Sequence, residues 1–508
     1  MMKKLFLSII SLALAGGAYA QLNTFSDGDT ISAEKMNQNF QHLEQQFRGT
    51  RTTTVNCAAG EKIGDAIDNG YINITVSGTC AENLQFSMWR EDSAENKTPT
   101  GKLAPRFLKI AGADSDAKII DTSSNTESTI SVNSGATLFM NNITVSGGQY
   151  GINAQRNSNL YLSGVTVENF TERGIRVADS AWLGIDEDGA TIIGTENSTG
   201  IELVTGASGW IYSVNISNVD RGLNVYGGSM VYLNSYQISA ISRGITVANS
   251  HVLNLGDGSA SIEGTSDRAV SVSYGVFLNE RGNTLEIKNL KGGRGISFWK
   301  SQGDISNLKM LDFDITGSGE SAISISRTAA VSFQNIEISG SCNDNFIGVD
   351  GGSSAEIRDS TIVSTSTGRG INVVGNSYLE FRNSTISGTA TDGNLVNIGS
   401  GSSAEIRDST ISGTATNDSL VSTNGGSYAK IRDSNVSWTV TGGDMMSVSS
   451  GSSVHLRGST ISGTASVDSM SLLYVRKGSS TGAVSCSGKS YASANDSTVP
   501  TLPDSCTQ

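Results

Sequence analysis

Six arginines recur at one position of a repeating pattern in this 508-residue chain. Each stands two residues before an aliphatic residue in a short alternating run, as in RGIRV, RGLNV, RGITV and RGISF. They are Arg173, Arg221, Arg243, Arg268, Arg294 and Arg369. On a chain with a net charge of −13 they would form a basic stripe, whose natural complement is a linear polyanion. Trp299 and Lys300 are close in phase and could stack on sugar rings.

A structural role accounts for the same arginines. A long residue followed by glycine often fills a corner in repeats of this kind. Glu172, Asp220 and Asp267 directly precede three of the arginines and would partly neutralise them. Charge runs are usually solvated faces, so the sequence leaves both roles open.

Metal and acid–base chemistry have weaker signals. Asp186 and Asp188 belong to an acidic cluster that could bind Ca²⁺ or form a surface turn. His42, His251 and His455 are the three histidines, and none lies in a loop with clustered acids. No Cys/His cluster has metal-ligand spacing. We therefore expect no cofactor, with Ca²⁺ as the one cation to consider.

The elements that would position these residues are repeated units. Aliphatic markers in the phrase SSAEIRDSTI and its copies are Ile362, Ile386, Ile411, Val436 and Ile461. These markers recur about every 25 residues, and corresponding markers from Ile130 to Ile371 follow at nearly the same interval. A fixed period of this size means one structural unit stacked on its copies. The sequence predicts that each unit between 122 and 480 is one coil of a solenoid.

The coils are predicted to consist of β-strands. Apolar residues alternate with period 2 rather than 3.6, and β-branched residues dominate the inward positions. All four prolines, Pro99, Pro105, Pro500 and Pro503, lie outside residues 106–499. Strands that pair with neighbouring coils need their N–H groups, which excludes proline. An all-β parallel solenoid is therefore expected, not leucine-rich or helical repeats.

A second arginine series follows the C-terminal repeats. Its members are Arg358, Arg382, Arg407, Arg432 and Arg457, on outward strand positions. Glu356, Glu380 and Glu405 occupy the same face two residues earlier. This pattern indicates a self-compensated surface that favours solubility.

Cysteines bracket both ends of the predicted solenoid. Cys57 and Cys80 would tie down a cap formed by residues 55–121, and Cys486 and Cys506 would tie down a tail formed by residues 481–508. The cap is expected to contain a short helix over Glu61–Asn69 and a strand over Tyr71–Val76. The remaining cysteine, Cys342, is expected to be a buried thiol.

Residues 55–480 resemble the right-handed parallel β-helix of the pectin-lyase-like superfamily. The opening VNCAAGEKIGDAIDNGYINITVSGTCAENLQF resembles the cap of that group, in which a short helix precedes the first coil. The family includes polysaccharide lyases, glycosidases and non-catalytic adhesins. Its hydrolases carry an NTD-type triplet, a DD pair and a GHG loop, and none of these motifs occurs here. The resemblance therefore implies a fold and no particular activity.

The N-terminal segment predicts export. Lys3 and Lys4 precede an apolar run that ends at a small-residue cleavage site, so residues 1–20 have the pattern of a bacterial signal peptide. In residues 21–54, the apolar residues Met36, Phe40, Leu43 and Phe47 have the spacing of a coiled-coil seam. FSDGDTISAEKMNQNFQHLEQQF resembles segments that precede trimerising helices in fibre proteins. The alternatives are a homotrimer and a helix packed on the end of the solenoid.

The functional expectation is a secreted or surface-displayed binding or adhesion protein without catalysis. An acidic polysaccharide or a cell-surface glycan is the expected partner. The negative net charge argues against nucleic acid, and no long apolar run follows the signal to span a membrane. A polysaccharide lyase and a structural spacer are the alternatives.

Overall fold

A computed structural model describes most of the chain. The described residues are 51–87, 107–255, 258–280, 282–290, 292–316, 320–391, 393–416, 418–441, 443–476, 478–494 and 506. Residues 1–50, with the predicted signal peptide and the seam from Met36 to Phe47, lie outside this part. Within it, no helix has the length and hydrophobicity needed to cross a membrane.

The described chain is a parallel β-solenoid with three sheets, A, B and C. Sheet A contains Leu84–Ser87, Ser128–Asn133, Tyr150–Ala154, Arg173–Ala178, Thr199–Val204, Arg268–Ser273, Arg294–Trp299, Ile323–Ser326, Ile347–Asp350, Ile371–Val373, Val396–Ile398, Val421–Thr423, Met446–Val448, Ala465–Val467 and Val484–Cys486. Two long strands, Ser208–Tyr226 and Met230–Ala248, run through the corners and take part in all three sheets.

The other two sheets complete each coil. Sheet B contains Thr52–Asn56, Asn73–Ser77, Phe107–Gly112, Thr137–Asn141, Asn159–Ser163, Trp182–Ile185, His251–Asn254, Val276–Asn279, Gln302–Ser306, Ala330–Gln334, Ser354–Arg358, Tyr378–Arg382, Ser403–Arg407, Tyr428–Arg432, Ser453–Arg457, Leu472–Val475 and Tyr491–Ala494. Sheet C contains Thr79–Ala81, Lys118–Ile120, Thr144–Ser146, Val165–Glu168, Ala190–Ile193, Ser259–Glu263, Thr284–Lys288, Leu308–Ile315, Glu337–Cys342, Thr361–Ser366, Thr385–Ala390, Thr410–Thr416, Asn435–Thr441 and Thr460–Ile461.

The register of sheet A confirms the period predicted from the aliphatic markers. Ile152 pairs with Ile130 on one side and with Ile175 on the other, and all three side chains are fully buried. The same alignment continues to Ile371 and beyond. A one-residue slip would turn every inward side chain outward, so the buried aliphatic column fixes the register.

Two internal serine ladders explain the serines of the repeated phrase. In the first ladder, the backbone N–H of Ser377 donates to Oγ of Ser402 (3.0 Å), and the N–H of Ser402 donates to Oγ of Ser427 (3.2 Å). In the second, the N–H of Ser360 donates in the same way to Ser384 (3.0 Å). These serines are buried at the corners between strands. Their hydroxyls satisfy N–H groups that would otherwise be buried without a partner.

Two members of the arginine series of the C-terminal repeats pair with the glutamate two residues earlier, as the sequence predicts. Arg407 instead pairs with Asp408 (3.0 Å), and Glu405 pairs with Arg432 of the next coil (3.4 Å). Arg358 lies in register with Arg382, and Arg407 with Arg432. Arg358 forms an ion pair with Glu356, and Arg382 with Glu380 (3.7 Å). Because these pairs are partly exposed, each contributes at most about 1 kcal/mol to stability.

Both predicted disulfides are formed. Cys57 bonds to Cys80 and Cys486 bonds to Cys506. The remaining cysteine, Cys342, is buried as expected. These bonds are typical of proteins that fold in an oxidising compartment.

The cap helix is shorter than predicted. It spans Ile63–Asp68 and follows a single 3-10 turn over Cys57–Ala59. The next strand spans Asn73–Ser77 rather than 71–76. The carboxylate of Glu82 accepts the N–H groups of the first two helical residues, at 2.7 and 3.0 Å. A carboxylate at this end of a helix satisfies free N–H groups and fixes where the helix begins.

Candidate functional site

The arginine column of sheet A is stacked as predicted. Arg221 lies in register with Arg243, Arg243 with Arg268, and Arg268 with Arg294, on consecutive coils. Arg173 belongs to the same column but is separated from Arg221 by Thr199. Arg369 is exposed, and it lies further along the solenoid. Four guanidinium groups therefore follow one another at a rung spacing of about 4.8 Å.

Acidic side chains neutralise most of this column. Arg221 pairs with Asp220 (3.3 Å), and Arg243 pairs with Asp267 (2.5 Å), which also lies 3.8 Å from Arg268. Arg294 lies 3.6 Å from Glu320. Burial, together with the charges of Arg294 and Arg243, lowers the pKa of Arg268 despite Asp267. Three carboxylates therefore offset the four guanidinium groups of this column, and its cations are already engaged in ion pairs.

Arg173 belongs to a separate ion-paired cluster. Its Nε lies 2.7 Å from the Glu202 carboxylate, which is 3.4 Å from Nε of Arg176 and only 3% exposed. Both guanidinium groups lie over the Tyr150 ring, at 5.7 and 5.8 Å. Burial opposes the charge of Arg173, but the hydrogen bond to Glu202 and the nearby negative charges together outweigh it and raise the pKa of this guanidinium. The cluster satisfies its own charges and holds three coils together.

Trp299 and Lys300 lie apart from the arginine column. Arg294 and Trp299 are the two ends of one strand of sheet A, about 16 Å apart along an extended chain. Lys300 begins the corner that leads to sheet B. Trp299 and Lys300 were predicted to lie close in phase to the arginines. In the structure they lie at the other end of the strands of sheet A.

The corner at Lys300 carries unusual residues. At the equivalent position, successive coils have Gly227, Asn249, Tyr274, Lys300, Arg327 and Gly351, all with positive φ. Glycine and asparagine adopt this left-handed conformation readily, whereas for other residues it costs about 1 kcal/mol or more. Three consecutive coils therefore place a large side chain where a small one would be more stable. Arg156, Asp179 and Thr205 hold the same conformation on earlier coils of this column, so this corner is distinguished by its run of a tyrosine, a lysine and an arginine on consecutive coils.

Aromatic and cationic groups converge at this corner. The rings of Tyr274 and Trp299 meet edge to face at 4.5 Å, and Nζ of Lys300 lies 5.3 Å and 5.0 Å from their centroids. Arg327 follows on the next coil. Among the described residues, neither Lys300 nor Arg327 has an ion-pair partner. We call Tyr274, Trp299, Lys300 and Arg327 the corner site.

An open groove runs beside these cations. It has a volume of about 440 Å³ and is lined by Lys300, Arg327, Thr328, Asp350 and Gly351. Asp350 lies in register with Ser326 on the preceding coil, and its backbone oxygen accepts the N–H of Arg327 (3.2 Å). Two cations and one carboxylate give the groove a net positive charge. An anionic group fits this charge, and the neighbouring rings offer an apolar surface for a sugar.

Tyr274, Arg327 and Asp350 were not singled out from the sequence. A signal for the first two was present, because Tyr274, Lys300 and Arg327 are separated from one another by the length of one coil. This signal lies in the corners of the repeats rather than in their strands. Nothing in the sequence pattern marks Asp350, which reaches the groove because its coil stacks next to that of Arg327.

Aromatic side chains also stack on sheet B, where no aromatic stack was predicted. Phe139 lies between Phe107 (4.8 Å) and Tyr161 (4.5 Å), and Trp210 stacks on Tyr232 (5.5 Å). Tyr161 is one coil beyond Phe139, and Tyr232 is one coil beyond Trp210, so this spacing is visible in the sequence. These ring contacts between neighbouring coils stabilise the stacking of the coils, and the outer rings of the stacks, such as Phe107 and Trp210, stay exposed.

The predicted calcium residues form a turn. Oδ1 of Asp186 accepts the N–H of Asp188 (3.1 Å), and Oδ2 of Asp188 accepts the hydroxyl of Ser163 (3.1 Å). Each carboxylate therefore accepts a hydrogen bond from a nearby residue of the protein. In the described part of the chain, the one group with metal-like spacing is Cys57, Cys80 and Glu82, whose two cysteines form the disulfide.

Both described histidines lie on the outward face of sheet B. His455 packs between Tyr428 (5.2 Å) and Tyr474 (5.4 Å), and burial with nearby cations lowers its pKa. His251 is exposed and lies in register with Met230 and Val276. Neither histidine belongs to the corner site.

By its fold, this chain belongs to the class of parallel β-solenoids. No protein-family model matches its sequence, and no curated protein matches it. The function is therefore inferred from the geometry of the corner site.

Proposed function

We propose that this protein is an exported, non-catalytic β-solenoid that binds an acidic polysaccharide or an acidic cell-surface glycan at the corner site. The observation that carries the proposal is the placement of Tyr274, Lys300 and Arg327 in left-handed backbone on consecutive coils, with both cations lacking an acidic partner among the described residues. Glycine holds the same conformation without strain on other coils, as at Gly227 and Gly351.

The chemistry of the site fits an acidic sugar. A guanidinium pairs with a carboxylate through two parallel hydrogen bonds, and an ammonium adds a second contact. Trp299 and Tyr274 present amphipathic rings beside these cations. Several sugars of one chain can follow the stacked coils, because the solenoid repeats the corner at a regular spacing. An extended polymer is therefore a better match than a small ligand.

Kinship with the pectin-lyase-like superfamily is part of the same proposal. It is supported by the short helix Ile63–Asp68 and the Cys57–Cys80 disulfide, which together precede the regular coils. Since that superfamily includes both enzymes and adhesins, a relationship to it does not distinguish these two functions. The distinction depends on the residues of the corner site.

The test is a binding titration of polygalacturonate with four proteins. Lys300→Gln with Arg327→Gln removes both cations of the groove, and we expect affinity to fall about five- to thirtyfold, since each exposed charge contact is worth roughly 0.5–1 kcal/mol. The matched control is Arg221→Gln with Arg243→Gln, which removes two cations that are already paired and should change affinity less than about threefold. Trp299→Ala tests the ring and should also weaken binding.

The salt dependence gives a second readout. Wild-type binding should weaken as salt rises, because an exposed cationic groove is screened by ions. Equal losses in the two double variants would place the binding surface outside the corner site. Undiminished binding by Lys300→Gln with Arg327→Gln would reject the site altogether.

A polysaccharide lyase is the second candidate. The same pair of residues favours it: in a β-elimination a lysine amine takes the proton from the sugar carbon beside the uronate, the C–O bond to the leaving sugar breaks as a C=C bond forms, and the leaving oxygen takes up the proton, while an arginine neutralises the uronate. A lyase would release unsaturated products that absorb in the ultraviolet, and a binder would leave the polymer intact.

A further inference from the structure

Asp350 is the one acid among the residues that line the groove of the corner site. It ends the strand Ile347–Asp350, one coil beyond Ser326 and two coils beyond Trp299 in the same column. No described cation lies within ion-pair distance of its carboxylate. The residue is half-buried, so water screens its charge less than a fully exposed one.

We propose that Asp350 regulates the corner site as a proton-controlled gate, which weakens binding of anionic sugars when ionised and permits tighter binding when protonated. This inference rests on the proposed function and names its regulation. Ionised Asp350 offsets one of the two cations of the groove, and protonation removes that offset. An anionic sugar that enters the groove meets one fewer repulsive contact in the second state.

The surroundings of Asp350 determine whether the pKa of its carboxyl is raised or lowered. Burial raises the pKa of its carboxyl above the ordinary value of 3.8, while the charges of Arg327 and Arg294 act in the opposite direction with smaller effect. Lys300 faces it across the groove, and the next coil, Ile371–Val373, brings no titratable side chain. Because the folded-state pKa is raised, protonation begins at a higher pH than for an ordinary aspartate. Affinity for a polyanion should therefore rise as the solution becomes mildly acidic.

The experiment measures the affinity of the full mature chain for dextran sulfate between about pH 7 and about pH 4, across which sulfate groups stay ionised. Wild-type affinity should rise as pH falls. Asp350→Asn should bind about fivefold more tightly at pH 7 and lose most of that pH dependence, since it removes a charge close to the ligand. It should also bind polygalacturonate more tightly than wild type does at neutral pH.

Asp359→Asn is the matched control, because Asp359 lies on the same outer surface but at a different corner. It should bind as the wild type does. A flat wild-type profile, or an Asp350→Asn profile that still rises like the wild type, would overturn the gate.

The binding measurements distinguish failure of the proposed gate at Asp350 from failure of the corner site as a binding site. If wild type binds and Lys300→Gln with Arg327→Gln does not, while Asp350→Asn is unchanged, the corner site stands and the gate is wrong. If neither polymer binds wild type at any pH, both proposals fail together.

Discussion

At the scale of single residues, the backbone conformation of Arg327 allows an effect on stability to be distinguished from an effect on binding. Its φ is 56°, in the left-handed region, and its side chain has no ion pair with a described residue. Glycine holds this conformation without a steric penalty. Replacing this arginine by glycine would therefore relieve backbone strain.

Arg327→Gly should stabilise the protein by about 0.5–1 kcal/mol while it weakens binding at the corner site. Urea unfolding measures the first effect, and titration with polygalacturonate measures the second. Arg457→Gly is the control, because Arg457 ends an extended strand, where glycine should destabilise by roughly the same amount. A loss of stability in Arg327→Gly would show that this side chain supports the fold.

Asp121 has a structural role that pH should reveal. Its carboxylate accepts hydrogen bonds from Ser123 (2.6 Å), Asn83 (2.6 Å) and the N–H of Asn125 (2.8 Å). Burial opposes the charge, but these bonds outweigh it and lower the pKa of Asp121 to about 2. Since the folded-state pKa is depressed, the stabilisation is present above the ordinary carboxyl pKa of about 4 and is lost as the pH falls toward 2.

Asp121→Asn should therefore reduce the free energy of unfolding by about 1 kcal/mol at pH 7, a value kept small because solvent screens this partly exposed group. The reduction should be much smaller near pH 2, where the carboxylate is partly protonated and most of the stabilisation is lost. Urea unfolding at both pH values checks this. Asp116→Asn, at an exposed position on the preceding turn, should have little effect at either pH. A difference that stays constant with pH would mean that the asparagine acts through packing.

At the scale of elements, the serine ladders explain why the C-terminal repeats are so alike. Ser402 is 1% exposed and accepts the N–H of Ser377, so its hydroxyl is part of the corner rather than of a surface. Ser402→Ala should cost about 1–3 kcal/mol because it leaves that N–H buried without a partner. Ser403→Ala, on the adjacent outward position, should be nearly neutral. Equal effects in thermal or urea unfolding would contradict the ladder.

Element positions were predictable from the sequence because inward side chains alternate along each strand and recur once per coil. That rule predicts the column from Ile130 to Ile371 and the stacking of Arg221 on Arg243, both of which the structure confirms. It does not predict ion pairing across coils, since Asp267 reaches Arg243 from the following coil. Asp350 also lies one coil beyond Arg327, so the alternation rule does not predict that these two residues line one groove.

At the scale of the whole molecule, stability should be nearly additive over coils, because each coil contacts only its neighbours. Deleting residues 378–402 removes one whole coil and joins Ser377 to Ser403, which occupies the register position of Tyr378. This protein should fold with the same strand content per residue and bind at the corner site as wild type does. Deletion of residues 378–389 removes half a coil and should prevent folding of the C-terminal part. Circular dichroism distinguishes the two, and equal strand content in both would contradict the coil as the unit of the fold.

The central claim is that the corner site binds an acidic polysaccharide without cleaving it. Size-exclusion chromatography with light scattering, applied to polygalacturonate before and after incubation with the mature protein, tests both halves of this claim at once. We predict that the polymer keeps its mass and elutes together with the protein at low salt. A fall in polymer mass would make the protein an enzyme, and an intact polymer that elutes separately would contradict binding and favour a structural spacer.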